Sequence, residues 1–452
     1  MELAQKNILV VGLGKSGRAA ARFAARQKAR VTVTDSNATD HLTDFLPGLA
    51  DQGIRLVLGE HPVDIFRQAE LIVVSPGVPH TIAPLEQARR AGVPILGELE
   101  FAVRFVHEPV VAITGTNGKT TTTALVGDML KHSGKRVFVG GNIGNPLIDY
   151  VAAGGGADLV VLEVSSFQLD TASTLHADVA VLLNISADHL DRYDDFAAYV
   201  RSKGRIFSNQ VETDTAVINR MDPEIKKLAN ACRARVWPFF HAGRNGSLPD
   251  TGAEISTDRV VLCTGGDPLV LDLQAALLTG AHNRENIAAA ALAALAAGGT
   301  TAGIQQAVRQ FRGLAHRLQT VATIDGVLYV DDSKGTNVDA VSRALETFSQ
   351  PTVLIMGGRD KGGDYTVLRP QLEKNVKRLV VMGEAAPAIT TQLGSAAPVA
   401  KAADMAQAVC LAADAADPGD VVLLSPACSS FDMYDSYAQR GEDFCKQVDA
   451  LK

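Results

Sequence analysis

The stretch with the most chemistry in it is Gly115-Thr116-Asn117-Gly118-Lys119-Thr120-Thr121. A short apolar run, Val110 to Ile113, precedes it, and a helix-forming stretch to about Lys131 follows. Strand, glycine-rich loop and helix start together make a phosphate cradle. The loop N–H groups turn inward and the helix dipole adds partial positive charge. Lys119 can reach a β/γ-phosphate oxygen, and the Thr120 hydroxyl can sit on Mg²⁺. The strict P-loop spacing places a glycine five residues before Gly118, where this chain has Ile113, so the loop is a shortened variant. Further on, the apolar run Asp158 to Val164 carries Glu163 near its end. A buried acid is costly unless it meets a cation or backbone N–H groups. Mg²⁺ shared by Glu163 and the loop hydroxyl is the obvious cation. His189 follows another apolar run, Asp178 to Asn184, and reads either as a hydrogen-bonding loop residue or as part of the same site. Lys203 falls in a helical stretch expected over Phe196 to Phe207, where a lysine ordinarily faces solvent.

A second phosphate-type turn lies near the start. Asn7 to Gly12 reads as a strand, Gly12-Leu13-Gly14-Lys15-Ser16-Gly17 as a GxGxxG turn, and Arg18 to Gln27 as a helix. A second strand, Val31 to Thr34, ends at Asp35. That is the dinucleotide fingerprint, though the same turn serves any nucleoside diphosphate. A further strand, Leu71 to Val74, runs into Ser75-Pro76-Gly77. Ser16, Asp35, Ser36 and Gly77 are thus expected around one crevice at the strand C-termini.

The elements that position these groups follow from the alternation of strands and helices. Pro94 to Glu98 is expected as a short strand closing a first segment, and Val137 to Gly140 as a strand leading to Gly141-Asn142. Residues 241–268 suit small strands and turns. Asn283 is expected to cap an alanine-rich helix running to about Ala297, with Asn286 one turn in. Beyond Gly313 and His316-Arg317, strands at Val327–Val330, Thr352–Met356, Arg378–Met382 and Asp420–Leu424 alternate with helical stretches. Three of them feed the polar loops Asp331–Asn337, Gly357–Gly363 and Ser425–Ser430. With the loop after Met382, four loops gather on one edge of a second parallel sheet. The expected fold is α/β with three domains. They are a Rossmann-like domain over 1–97, a P-loop-type ATPase domain over 98–313 and a Rossmann-like domain over 314–452.

The 452-residue length agrees with about three domains. A net charge of −7 argues against a nucleic-acid surface, so sites for anions must be built locally. The five cysteines form no CxxC pair, which suits a reducing compartment. No signal peptide is read at the start, and the longest apolar run, Ile287 to Ala297, is too short to span a bilayer. A cytoplasmic protein without a membrane span is expected.

The motifs GLGKSG, SPG, TGTNGKTT, GGNIG, EVSSFQL, DHLDRY, GAHNREN, HR, DDSKGTN, GGRDKGG and SPACSSFDMY, in this order, resemble the Mur ligases. These are the ATP-dependent amide-forming enzymes of peptidoglycan precursor synthesis, and the resemblance covers essentially the whole chain. SSFQL and SPACSSFDMY resemble the D-glutamate-adding branch. The resemblance implies that the first domain holds the UDP part of UDP-N-acetylmuramoyl-L-alanine, the second ATP, and the third D-glutamate. ATP would convert the L-alanyl carboxylate to an acyl phosphate, which the D-glutamate amine attacks. Lys15, Ser16, Gly17, Asp35, Ser36, Asn37, Gly77, Asn142, Ser165 and Gln168 would contact the UDP substrate. Gly115 to Thr121, with Asn283, Asn286, Arg317, Asp332 and Lys334, would contact ATP. Thr336, Lys361, Ser430, Phe431 and Tyr437 would form the D-glutamate pocket. Lys119, Glu163, His189 and Lys203 would be catalytic. Thr120 and Glu163 would hold one Mg²⁺, and His189 with a carbamylated Lys203 a second. A monomer is expected.

The rivals are a sister Mur ligase adding another amino acid and a folylpolyglutamate synthetase-type ligase, which lacks a domain like residues 1–97. An NAD-dependent oxidoreductase would leave the ATP loop unexplained. A non-catalytic nucleotide-binding regulator would have no need of Glu163, His189, Lys203 and Lys361 together.

Overall fold

The computed structural model describes residues 1–37, 47–188, 192–243, 250–278, 280–360 and 362–452. Its strands fall into three sheets, one in each third of the chain. The first holds β1 (Asn7–Val11), β2 (Arg30–Asp35), β3 (Arg55–Leu58), β4 (Leu71–Val74) and β5 (Ile95–Gly97) in the order β3-β2-β1-β4-β5. All pairs are parallel, so helices must cover both faces. The order reverses between β1 and β4, and a crevice opens there beyond their C-termini. Glu98 is helical rather than part of β5: the chain turns at Gly97 straight into the helix Glu98–Val103.

The second sheet holds β6 (Val110–Thr114), β7 (Val137–Gly141), β8 (Leu159–Glu163), β9 (Val179–Leu182), β10 (Thr215–Asn219), β11 (Arg235–His241), β12 (Thr251–Ile255), β13 (Arg259–Thr264) and β14 (Leu269–Asp272). The order is β14-β13-β12-β11-β10-β9-β6-β8-β7. β6, β8 and β9 are buried throughout, as their nearly unbroken apolar runs require. The small strands expected near 241–268 form an antiparallel extension, β12-β13-β14, on this sheet. The helix Lys119–His132 packs against the alanine-rich helix Ala281–Ala296. Small alanines let that helix sit against both the sheet and its neighbour, and Ala288 to Ala294 are fully buried.

The third sheet holds β15 (Gln319–Ile324), β16 (Val327–Asp331), β17 (Thr352–Gly357), β18 (Val376–Met382), β19 (Val399–Lys401) and β20 (Val421–Leu424) in the order β15-β16-β20-β17-β18-β19. Only the edge pair β15–β16 is antiparallel. The loops after β16, β20, β17 and β18 therefore emerge on one edge, and that edge faces the second sheet's phosphate loop. Among the described residues no helix is long and apolar enough to cross a membrane.

Candidate active site

The phosphate loop leaves β6 at Thr114 and is pinned from β9's side. Thr116 N–H donates to Asn184 O (2.9 Å) and Asn117 N–H to Asn184 Oδ1 (2.8 Å). The Asn184 amide returns a bond to Asn117 O (3.1 Å). Gly118 has φ +81° and opens the helix Lys119–His132. A Cβ there would lie 2.3 Å from Asn286 Oδ1, so both conformation and space demand glycine. The Lys119 ammonium folds over the loop and donates to Gly115 O (2.9 Å) and Thr116 O (2.7 Å). Asn184 was missed in the sequence, although a polar residue just past a buried strand is the signal that singled out its neighbours.

β8 pairs with β6 so that Glu163 stands opposite Ile113, level with the loop's start. Glu163 is 2% exposed. Its Oε1 accepts from Asn142 Nδ2 (2.9 Å), while Oε2 is buried with no hydrogen-bond partner among the described residues. Such an oxygen costs free energy unless something positive meets it. Its place beside Thr120 and the loop fits a divalent cation shared with phosphate oxygens. Among the described residues there is no group of three or more His, Cys, Asp or Glu that could hold a metal ion.

Lys203 departs from the solvated position expected of it. It is 1% exposed, its Nζ donates to Gly115 O (2.7 Å), and it lies 4.6 Å from the Tyr199 ring centroid. Burial, and next the nearby Lys119 charge, push its pKa well below the ordinary lysine value. The expected helix also breaks here: Phe196–Gly204 is α-helical and Arg205–Phe207 is a 3-10 turn. A Cβ on Gly204 would meet the Leu228 side chain at 2.7 Å, so the glycine serves close packing. His189 lies outside the described residues.

Lys119, Thr120, Asn142, Glu163, Ser165, Lys203, Arg317, Lys334 and Thr336 all line one cavity of about 300 Å³ between the second and third sheets. Arg317 reaches across to donate to the Thr120 hydroxyl. Asn117 Nδ2 donates to Asp339 Oδ2 (2.6 Å), and Asn337 Nδ2 to Asp188 Oδ2 (3.1 Å). Arg343 bridges Asp339 (3.0 Å) to Glu285 of the alanine-rich helix (3.5 Å). The third domain is therefore closed on the second.

Next to this cavity, Asn283, Asn286, Arg317, Asp332 and Lys334 line a smaller one of about 80 Å³ with His282 and three leucines. Asn283 is not the helix cap: Gly280 is, because its φ of +93° turns the chain one residue before Ala281. The Asn283 side chain instead faces inward, and its Oδ1 accepts from Asn286 Nδ2 (3.2 Å). Burial raises the Asp332 pKa to about 7, although Ser425 Oγ donates to it (2.7 Å) and Arg317 is near. Burial also lowers His282 to about 4, so its imidazole is neutral near pH 7.

The first sheet's crevice is a cavity of about 580 Å³. Lys15, Ser16, Asp35, Ser36, Asn37, Gly77, Asn142 and Gln168 line it, joined by His61. Gly17 lies beneath, where a Cβ would fall 1.9 Å from Gly12 O. Asp35 is already engaged: Oδ2 accepts from Leu13 N–H (2.6 Å) and Oδ1 from Asn37 N–H (2.9 Å). The acid of the fingerprint thus braces the turn. Lys15 Nζ spans to Gly144 O (2.8 Å) and Asn145 Oδ1 (3.1 Å), joining the first two domains. Ser165 and Gln168 form a capping box on the helix Ser166–Thr171, a local role the sequence reading did not assign them.

A fourth cavity, of about 330 Å³, lies between Asp188 and the loops after β16 and β17. Thr336 lines it with Asp339, Asp360 and Tyr365, but Ser430, Phe431 and Tyr437 do not. Phe431 is 63% exposed, and Ser430 is buried in a turn whose carbonyl accepts from Tyr434 N–H (2.8 Å). The Tyr437 ring centroid lies 3.7 Å from Lys334 Nζ, whose residue lines the two cavities at the phosphate loop. Lys361 lies outside the described residues. Arg440, buried at 2% exposure, ties these loops together through Ser333 O (2.8 Å), Gly357 O (3.3 Å) and Cys428 O (3.1 Å). Sequence reading had no signal for it.

Fold and site define a P-loop-type α/β protein whose phosphate loop is covered by a separate C-terminal domain. The chain belongs to the Mur ligase family. The family profile described as the Mur ligase middle domain matches residues 113–294, the MurD-like N-terminal domain residues 6–97, and the glutamate ligase domain residues 316–428. The UDP-N-acetylmuramoylalanine–D-glutamate ligase of Desulfosudis oleivorans is 52% identical, with 100% of this chain and 98% of that protein covered. The enzyme of the same name from Desulfatibacillum aliphaticivorans is 47% identical over the full length of both. Among solved structures, UDP-N-acetylmuramate-alanine ligase from Thermotoga maritima shares the fold at TM-score 0.62 and 20% identity, covering 99% of this chain and 100% of that one.

Proposed function

We propose that this chain is an ATP-dependent ligase that adds D-glutamate to UDP-N-acetylmuramoyl-L-alanine in peptidoglycan precursor synthesis. The observation that carries the reading is the 52% identity, over the whole chain, to an enzyme of that printed name. The geometry supports it, since the cavity at the phosphate loop shares Asn142 with the first sheet's crevice and Asp188, Thr336 and Asn337 with the cavity at the loops after β16 and β17.

In this reading residues 1–97 hold the UDP part, 98–313 hold ATP, and 314–452 bring D-glutamate and close over both. Lys119 leaves the loop carbonyls for the γ-phosphate when ATP enters. Gly115 to Thr121 offer backbone N–H groups, and Arg317 and Lys334 approach from the third domain. Asn142 positions Glu163 and faces the muramoyl-alanyl end. Thr336 and Lys361 receive D-glutamate, with Lys361 pairing a carboxylate. Ser430, Phe431 and Tyr437 shape that wall through the loops that Arg440 ties.

The L-alanyl carboxylate attacks the γ-phosphorus, ADP leaves, and an acyl phosphate forms. The D-glutamate amine then attacks the acyl carbon, and a tetrahedral intermediate collapses to amide and phosphate. Positive side chains neutralise the charge that builds at each stage, and closure aligns the reactants. Thr120 and Glu163 would hold a first Mg²⁺, and His189 with Lys203 a second. Bound Mg²⁺ supplies charge neutralisation on the phosphates. Burial favours neutral Lys203, and a neutral amine is the form that adds to CO₂. The new N–C bond forms as the amine proton leaves to water, giving a carbamate oxygen ligand. The protein is proposed to be monomeric and cytoplasmic.

Phosphate release from ATP and Mg²⁺ with UDP-N-acetylmuramoyl-L-alanine tests this directly. D-glutamate alone should support turnover among D-glutamate, L-glutamate, L-alanine and meso-diaminopimelate. Turnover with another amino acid would reassign the third domain. Turnover that ignores both UDP substrate and amino acid would end the ligase reading.

A further inference from the structure

Arg317 is flanked by two non-glycine residues with left-handed backbone, His316 at φ +62° and Leu318 at φ +46°. Such conformations are uncommon away from glycine and persist only where the surroundings hold them. Here the start of the third domain does so. His316 N–H donates to Gln319 Oε1 (2.9 Å), and His316 O accepts from Lys334 N–H (3.1 Å). Leu318 N–H donates to Asp332 Oδ1 (3.3 Å). The His316 ring donates through Nδ1 to Asp331 Oδ2 (2.6 Å), since a carboxylate only accepts. Asp331 is fully buried at the end of β16, and its Oδ1 accepts from Ser333 N–H (2.8 Å).

A third element is shaped around this pair. Gly441 lies in the interior of helix Tyr437–Asp449, where glycine is the poorest choice after proline. A Cβ there would fall 2.2 Å from His316 Nδ1 and 2.7 Å from Asp331 Oδ2. A helical backbone does not call for glycine, so the reason for it is room for the pair. Neither His316 nor Asp331 lines the two cavities at the phosphate loop, whereas Arg317 lines both. Arg317 precedes β15 in the chain, yet its guanidinium donates back to Thr120 of the second domain. The left-handed residues on either side fix the path of the linker, and with it the direction of the side chain between them.

We propose that Asp331 and His316, seated against Gly441, are positioning residues for Arg317. The pair holds the linker in its left-handed path and so aims the guanidinium at the phosphate loop. This rests on the reading that Arg317 meets ATP from the third domain.

Steady-state kinetics of full-length variants test the assignment in a double-mutant cycle. His316→Ala and Asp331→Ala each lower kcat/KM for ATP about tenfold, and Arg317→Ala lowers it at least as far. Either one added to Arg317→Ala costs no more than about a further twofold, because its effect runs through the side chain already removed. His316→Asn keeps a donor at the δ position and tolerates the left-handed region, so it recovers most of the activity. Gly441→Ala improves helix propensity but displaces the pair, and it reproduces the loss. Unchanged binding of the UDP substrate in every variant reports an intact fold. Unchanged kcat/KM in His316→Ala or Gly441→Ala, losses that multiply in the double variants, or His316→Asn as impaired as His316→Ala would each overturn the assignment. If Arg317→Ala itself leaves the ATP kinetics unchanged, the ATP contact read for Arg317 is wrong and the assignment falls with it.

Discussion

A lysine at 1% exposure, bonded to a carbonyl inside the phosphate loop, is an unusual place for a cation. Desolvation and the second ammonium of Lys119 both favour its neutral form. Arginine at 203 stays charged, cannot add CO₂, and would crowd Gly115. Lys203→Arg should therefore lower kcat by about a hundredfold or more, the scale of losing a preorganised charge-stabilising group. A carbamate carbon should appear in a ¹³C spectrum of the unmutated protein under labelled bicarbonate and be absent from the variant. A bare lysine at saturating CO₂ would refute the carbamate. Glu163 gives a companion prediction. Glu163→Gln keeps an acceptor for Asn142 but removes the charge from the orphan oxygen. The Mg²⁺ concentration for half-maximal rate should rise about tenfold or more, while UDP-substrate binding stays put. An unchanged Mg²⁺ titration would remove Glu163 from the cation site.

At the scale of elements, the helix Glu98–Val103 follows β5 directly and joins the first two domains. Its first residue, Glu98, is 2% exposed and accepts from Ile148 N–H (3.3 Å). Burial raises its pKa to about 7. The folded state thus binds a proton that the unfolded chain has released by about pH 4.5, so Glu98 favours folding at low pH. That contribution falls as pH rises from about 4.5 through about 7. Glu98→Gln keeps an acceptor without the charge. Its melting temperature should exceed that of the unmutated protein at pH 8, with the difference shrinking toward pH 5. Parallel melting curves across that range would show that Glu98 ionises without cost.

Across the whole molecule, one chain of contacts links the third domain to both the phosphate loop and the alanine-rich helix: Asn117 to Asp339 to Arg343 to Glu285. The phosphate loop and the alanine-rich helix are thereby tied to the same short helix, Val338–Leu345. Arg343→Glu places like charges against Asp339 and Glu285. The KM for ATP should rise about tenfold and the radius of gyration in solution should increase, with binding of the UDP substrate unaffected. Adding Glu285→Arg should restore part of both. Unchanged compactness in Arg343→Glu would show that other contacts hold the domains together.

The phosphate loop, the GxGxxG turn, the three-sheet division and most strands were legible in the sequence, because local spacing sets them. Apolar runs must be buried, and glycines at fixed intervals must turn. Where the reading missed, the reason was non-local. Asn283 looked like a cap because asparagine caps helices, but the positive φ at Gly280 starts the helix earlier and turns Asn283 inward. Lys203 looked solvated because nothing in its own helix shows that a loop 88 residues earlier covers it. Arg440 had no local signature at all. The sequence by itself determined where the glycine-rich strand-to-helix loops fall and how many sheets carry them, since backbone geometry and hydrophobic period act over a few residues. The tertiary structure alone decided which side chains are desolvated and which carboxylate oxygen is left without a partner. Those properties depend on neighbours brought together from distant parts of the chain.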